Sequence, residues 1–184
     1  MVDKQKIARL LRSWFDTDSA RFEVNDDGTI SGEGFLQTDA KFPDQKLPVR
    51  FKTWKGTLHL VYTNLHSLDG LPEVMDGDIR LRGNQLTDLK GAPKIVTGIF
   101  SIAHNPLVSL EGFPNSVGRV VVSDDLHLPM LRLLNAKEIR IHAARDPANK
   151  VQWILQNYAG QGRRARFHAQ KELEDAGFSE NARW

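Results

Sequence analysis

The chain is predicted to fold as an α/β solenoid, in which short parallel strands stack into a ladder and helices close both ends. Three observations carry that prediction. A 21-residue spacing recurs through residues 58–119. Each of those units opens on an apolar–polar–apolar triplet, which puts apolar side chains on one face of a short strand. Helical apolar spacing flanks the periodic region on both sides.

Residues 1–18 are read as an N-terminal helical cap. Ile7, Leu10, Leu11 and Trp14 follow i, i+3, i+4, i+7 spacing, with Lys4, Lys6, Arg9 and Arg12 on the other side. A solenoid must cover the apolar end of its first coil, and this helix suits that task. A membrane or partner helix is the sharper alternative. Residues 19–57 are read as a β-hairpin and lead-in segment. RFEVNDDGTISGEGFL alternates on both sides of Asp27-Gly28, a strong hairpin signal. Turn chemistry accounts for Asp26 and Asp27 better than metal binding does. Leu47-Pro48-Val49 resembles an imperfect earlier unit.

Residues 58–142 form the repeats. At intervals of 21 fall Leu60, Leu81 and Ile102; Leu65, Leu86 and Leu107; Leu68, Leu89 and Leu110; Gly70, Gly91 and Gly112; and Pro72, Pro93 and Pro114. No single unit can bury its own apolar face, but stacked units bury it continuously. Asn84 and Asn105 fall where the chain leaves the strand, and a buried amide there can bond backbone groups the turn leaves open. The first unit has Thr63 in that column, and a degraded fourth unit (residues 120–138) has Asp124 or Asp125. The glycines suit a turn with positive φ, and the prolines belong outside the ladder. A last strand-like piece is IRI at 139–141.

Residues 143–184 are read as a C-terminal helical cap. Asp146-Pro147 suits N-cap and first helical position. Val151, Ile154, Leu155 and Tyr158 continue the helix, and Gly160-Gln161-Gly162 stops it. A second helix spans about 163–176, with Phe167, Ala169 and Leu173 as its apolar side and Gly177 as cap. Trp184 is read as folding back on this cap.

Composition narrows the function classes. The 184 residues are 40% hydrophobic and 26% charged, with a formal net charge of +2, which fits a globular domain. Cysteine is absent, which removes disulfides, Cys-ligated zinc and thiol catalysis. No apolar run reaches the ~20 residues that span a bilayer, and the basic residues threaded through the first helix argue against a secretory signal. No zinc-protease, phosphate-loop, dinucleotide-loop or nucleophile-elbow motif occurs among the His, Gly and Ser patterns. Asp124-Asp125 with His127 is a second arrangement suggesting a metal, and the edge of a degenerate coil explains it better. The chain is therefore expected to be non-enzymatic, with no cofactor and no metal.

The L-x-L-x-x-N-x-L-x-x-L-x-G-x-P pattern resembles a leucine-rich repeat. Three segments together resemble small leucine-rich-repeat proteins of tailed bacteriophages: NDDGTISGEGFL, the repeats with SLDGLP, DLKGAP and SLEGFP, and the tail ILQNYAGQGRRARFHAQKELEDAGFSENARW. The resemblance covers about residues 20–184, with a departure after residue 119, where the Gly-x-Pro signature is lost. It implies a phage origin, action in the host cytoplasm and a leucine-rich-repeat fold. It implies no activity and no catalytic residues.

Candidate binding residues lie between the apolar columns. In such a repeat His59, Arg80, Ser101, Val121 and Arg140 form one column of the concave face, and Val61, Arg82, Ala103, Ser123 and His142 form a second. Neither column holds a carboxylate. Arginines in a row suit a carboxylate or phosphate through bidentate bonding, although a plain solvated face is the competing reading. His59, Arg80, Arg82, Ser101, Arg140 and His142 are thus the expected contact residues for a host or phage protein with an acidic surface. Residues 126–184 hold 10 Lys/Arg against 6 Asp/Glu, and Lys150, Arg163, Arg164 and Arg166 make a second, anion- or nucleic-acid-binding candidate. Nucleic acid is accordingly the alternative partner, and a membrane is not expected.

Overall fold

The computed structural model describes residues 2–124, 127–142 and 145–184. One seven-stranded sheet runs in chain order: β1 (Ala20–Val24), β2 (Ile30–Gln37), β3 (Phe51–His59), β4 (Val74–Arg80), β5 (Ile95–Ser101), β6 (Ser116–Ser123) and β7 (Ala136–His142). β1 pairs antiparallel with β2, and every later pair is parallel. Helix α1 (Lys4–Trp14) precedes the sheet, and α2 (Ala148–Tyr158) and α3 (Arg163–Asp175) follow it. The chain is a parallel-strand α/β solenoid of about five turns with helices at both ends.

The apolar columns meet inside. Leu58 and Leu60, Ile79 and Leu81, Phe100 and Ile102, Val120 and Val122, and Ile139 and Ile141 are all buried, and the returning arcs bury Leu65, Leu68, Leu86, Leu89, Leu107 and Leu110 above and below one another. The strands are longer than the triplets suggest, because residues upstream of each triplet also pair. The parallel ladder also begins earlier than the leucine motif. β2 is its first strand, and Phe42, Leu47 and Val49 line the first returning arc.

Each full repeat turns in the same way. Leu71, Ala92 and Phe113 donate their N–H groups to the carbonyls of Leu68, Leu89 and Leu110, and Gly70, Gly91 and Gly112 take positive φ between them. Ser67, Asp88 and Ser109 each accept the N–H two residues on. Asn84, 1% exposed, accepts from Thr63 N, Thr63 Oγ1 and Leu65 N, each at 3.0 Å, and donates to Leu60 O and Leu81 O at 2.7 and 2.9 Å. Asn105 repeats the motif one turn on, with donation to Leu81 O and Ile102 O and acceptance from Leu86 N. In the next turn Asp125 lies outside the described residues.

The two ends are sealed differently. At the first turn, Trp14 and Phe15 of the α1 end pack on Phe42, and Phe15, Phe51 and Trp54 continue the aromatic chain. Asp3 caps α1 by accepting from Lys6 N. Leu11 is buried and Ile7 and Trp14 pack against the core, but Leu10 stays at the surface. The hairpin forms as expected. Asp27 accepts from both the N–H and the hydroxyl of Thr29, and Asp26 pairs with Lys4, so both carboxylates serve the turn and its helix.

At the last turn, α2 covers the open edge of β7. Gln152 and Gln156 accept the N–H groups of Ile141 and Ile139 at 2.5 and 2.6 Å. Four helical residues rise about 6 Å, close to the ~6.6 Å between alternate strand residues, so two glutamines one turn apart reach two edge donors. The double variant Gln152→Ala/Gln156→Ala is expected to lose about 2 kcal/mol of unfolding free energy in urea, since each edge N–H loses a partner worth about 1 kcal/mol. An unchanged urea midpoint would show that solvent serves the edge equally well.

Two details of the C-terminal cap differ from expectation. Pro147, rather than Asp146, holds the N-cap position, with φ −88° and ψ −4° and no side-chain cap bond. Asn149 and Lys150 direct their N–H groups to the carbonyls of Arg145 and Pro147, so backbone rather than a carboxylate closes this end. Phe167 is 68% exposed, and Ala165, Ala169 and Leu173 form the buried side of α3. Alanines let α3 sit close, and a ring at Phe167 falls on the outer side. The final segment folds back as expected: Met130 and Leu131 donate to the carbonyls of Asn181 and Arg183.

Candidate functional site

Strand register builds the outer face of the sheet. Gln37, His59, Arg80, Ser101, Val121 and Arg140 are successive neighbours across β2 to β7, so the first expected column is a single physical row. Arg80 and Arg140 extend into solvent, with side chains 48% and 64% exposed. In the second column Ser123 pairs with His142, but Ala103 is fully buried and contributes no surface there.

The face is not free of carboxylates. The row two residues upstream holds Phe35, Thr57 and Asp78 in register, followed by Ile99, Arg119 and Glu138. Arg80 lies 3.5 Å from Asp78, Arg140 lies 3.7 Å from Glu138, and Arg119 lies 2.7 Å from Glu138. Asp78 also accepts the N–H of Ile99 at 2.8 Å. That bond fills the stretch where β4 and β5 do not pair residue to residue. Arg80, Arg82, Arg119 and Arg140 share this face with Asp78 and Glu138, and the charges of Asp39 and Asp124 reach its histidines His59 and His104. The long Arg80 and Arg140 contacts are of the exposed kind worth about 0–1 kcal/mol, so a bidentate partner can displace them.

A tighter cluster closes the last strands. The rings of His104 and His142 meet edge to face at 4.8 Å. His104 donates its N–H to Ser123 Oγ at 2.6 Å. Arg82 Nε and His142 Nδ1 are shielded from solvent and bond no protein atom among the described residues.

Two histidines of this face ionise below the ordinary value of about 6.5. Burial lowers His59, and Arg80 lowers it further; burial likewise lowers His104, followed by Arg82 and His142. The folded state therefore holds these protons less tightly than the unfolded chain. The stability this confers is complete above about pH 6.5 and is lost as pH falls below it. The melting temperature is expected to drop between about pH 7 and pH 5. His104→Asn, suited to the φ of 57° there, is expected to flatten that slope. A variant as pH-sensitive as the parent would place the titration elsewhere.

The C-terminal basic cluster does not survive as four free cations. Arg166 donates to Asn135 Oδ1 at 2.5 Å and lies over the Trp184 ring at 5.3 Å. It is a structural tie between α3, the turn before β7 and the chain end, and it is withdrawn from the anion patch. The Lys150 ammonium stands 5.9 Å from the Phe178 ring centre. Arg163 and Arg164 remain exposed in the first turn of α3, which contains no acidic residue.

Among the described residues no group of three or more His, Asp or Glu side chains is placed to hold a metal ion. The Asp124-Asp125-His127 arrangement includes a residue outside that set. Among the described residues no helix is long and apolar enough to cross a membrane. No protein-family model, curated protein or solved structure matches the chain.

One further column of the sheet shares the parity of the inward side chains. Gly34, Gly56 and Gly77 are direct register neighbours, with φ of 106°, 114° and 140°. Gly98 and Gly118 continue the column at spacings of 21 and 20. The signal was a glycine two residues before each inward residue Leu58, Ile79, Phe100 and Val120.

Proposed function

We propose that the chain is a non-enzymatic binding module that docks an acidic protein surface on the outer face of its sheet. The observation supporting this reading is the in-register row that holds Arg80 and Arg140 in solvent, each with only a long, exposed carboxylate contact. His59 and Ser101 lie between or beside them in the same row, and Arg82 and His142 border it. Guanidinium groups offer several donors in one plane and accept carboxylates bidentately. Because their present partners are long and exposed, exchange for a partner's carboxylates costs little.

The repeat motifs and the NARW tail support a finer version: a leucine-rich-repeat protein of bacteriophage origin, acting in the host cytoplasm on a host protein, as an inhibitor of a host enzyme or defence factor. Affinity capture from bacterial lysate tests both levels. The double variant Arg80→Ala/Arg140→Ala is expected to lose the captured partner while keeping the parent's melting temperature. Capture of the same proteins by parent and variant would refute the assignment of this face.

Exposed Arg163 and Arg164 at an unneutralised helix start support the second reading, a nucleic-acid accessory role. Two arginines neutralise about two phosphates, so log affinity should fall against log salt with a slope of about −2. Binding without salt dependence would remove it.

A further inference from the structure

We propose that the free edge of β1 pairs antiparallel with the same edge of a second copy of the chain, with Phe22 on the twofold axis. This inference is independent of the arginine row. β1 is the outermost strand, and no strand among the described residues covers its far side. The opposite end of the sheet is closed, since Gln152 and Gln156 occupy the β7 edge.

The pairing parity shows which groups the β1 edge offers. Phe35 N donates to Ser19 O at 3.0 Å, and Asn25 N donates to Thr29 O at 2.8 Å. Ser19 and Asn25 therefore face β2, and so do Arg21 and Glu23 between them, because hydrogen-bonded pairs alternate along an antiparallel ladder. The N–H and C=O groups of Phe22 and Val24 then point outward. The N–H of Ala20 is already given to Thr17 O, which leaves its carbonyl. Two such edges fit each other. Phe22 and its symmetry mate form a doubly bonded pair, and each Val24 N–H reaches the Ala20 carbonyl of the other copy. An unpaired edge is a template for exactly such addition of strands, and a twofold contact must be self-complementary.

Charge makes this edge self-complementary in one register. With Phe22 on the axis, Arg21 of one copy stands opposite Glu23 of the other, twice over. Both side chains are exposed and would occupy the closer, non-hydrogen-bonded positions. Within the chain, Arg21, Glu33, Lys55 and Asp76 are successive neighbours across the outer face. That row alternates in sign, and Glu23 of a second copy extends the alternation by one step. On the inner side, the Phe22 ring is held under the Arg12 guanidinium at 5.0 Å, so α1 fixes the strand that presents the edge.

Sedimentation of the full chain over a range of concentrations tests the pairing. The expected species has twice the 20.8 kDa chain mass. Arg21→Glu and Glu23→Arg alone each set like charges opposite each other and are expected to be monomeric with parental circular dichroism. An equimolar mixture of the two variants joins an all-acidic edge to an all-basic one and is expected to restore the double mass. A parent chain that stays monomeric at all concentrations overturns the proposal and leaves the edge to an extended segment of another protein. Single variants that dimerise as the parent does, or a mixture that stays monomeric, overturn it equally.

Discussion

Asn84→Ala is expected to destabilise the chain by about 4 kcal/mol, since each buried group stripped of its partner costs about 1–3 kcal/mol. Asn84 carries five bonds from a site 1% exposed. It reaches groups of two successive turns: Thr63 N, Leu65 N and Leu60 O from one, and Leu81 O from its own. Alanine leaves two backbone N–H groups and two carbonyls around a small buried void, and these stay unpaired unless the void is large enough to hold a water. Asn105→Ala is expected to cost about half as much, because its site is half-buried and solvent can reach the freed groups. Urea unfolding of both variants checks the ranking. Equal costs would mean that the leucines alone hold the turns in register.

The parts of the fold that follow from strict residue spacing were legible in the sequence. The leucine, asparagine and glycine–proline columns repeat at 21 residues because each turn meets the same neighbours as the last. The hairpin announced itself through Asp27-Gly28, and the row from His59 to Arg140 followed from the side-chain alternation that the register displays. The first turn was only partly legible, through Leu47-Pro48-Val49 as an imperfect earlier unit. Its arc, with Phe42, Leu47 and Val49, buries bulk without the leucine spacing, since α1 and the aromatic chain rather than another repeat cover it. The candidate site was only partly legible for a related reason. The triplets end each strand's pattern at its last three residues, whereas the strands extend further back and set Asp78 and Glu138 beside Arg80 and Arg140. Nor could spacing alone show that Arg166 is tied to Asn135 and Trp184, because that contact joins segments 31 residues apart in sequence.

Gly77→Ala is expected to be the most damaging single substitution, with a loss beyond the 4–5 kcal/mol that few point variants exceed. Two effects add there. The backbone sits at φ 140°, a region that L-residues occupy at a cost of about 1–3 kcal/mol. A β-carbon would also lie closer than 3.0 Å to the carbonyl oxygen of Gly56 on the neighbouring strand. That oxygen cannot retreat, because Gly56 faces Gly34 in the same way one turn further along. Relief at one level would therefore have to spread through the stack, or the turns would have to part and break their ladder. Gly177→Ala isolates the conformational part: φ is 86° and no atom lies within 4 Å of the added carbon, so about 1–2 kcal/mol is expected. Thermal melting of the two variants separates the effects. Gly77→Ala should fail to fold or melt far below Gly177→Ala, and similar melting temperatures would show that backbone preference, rather than close approach between turns, accounts for the glycine column.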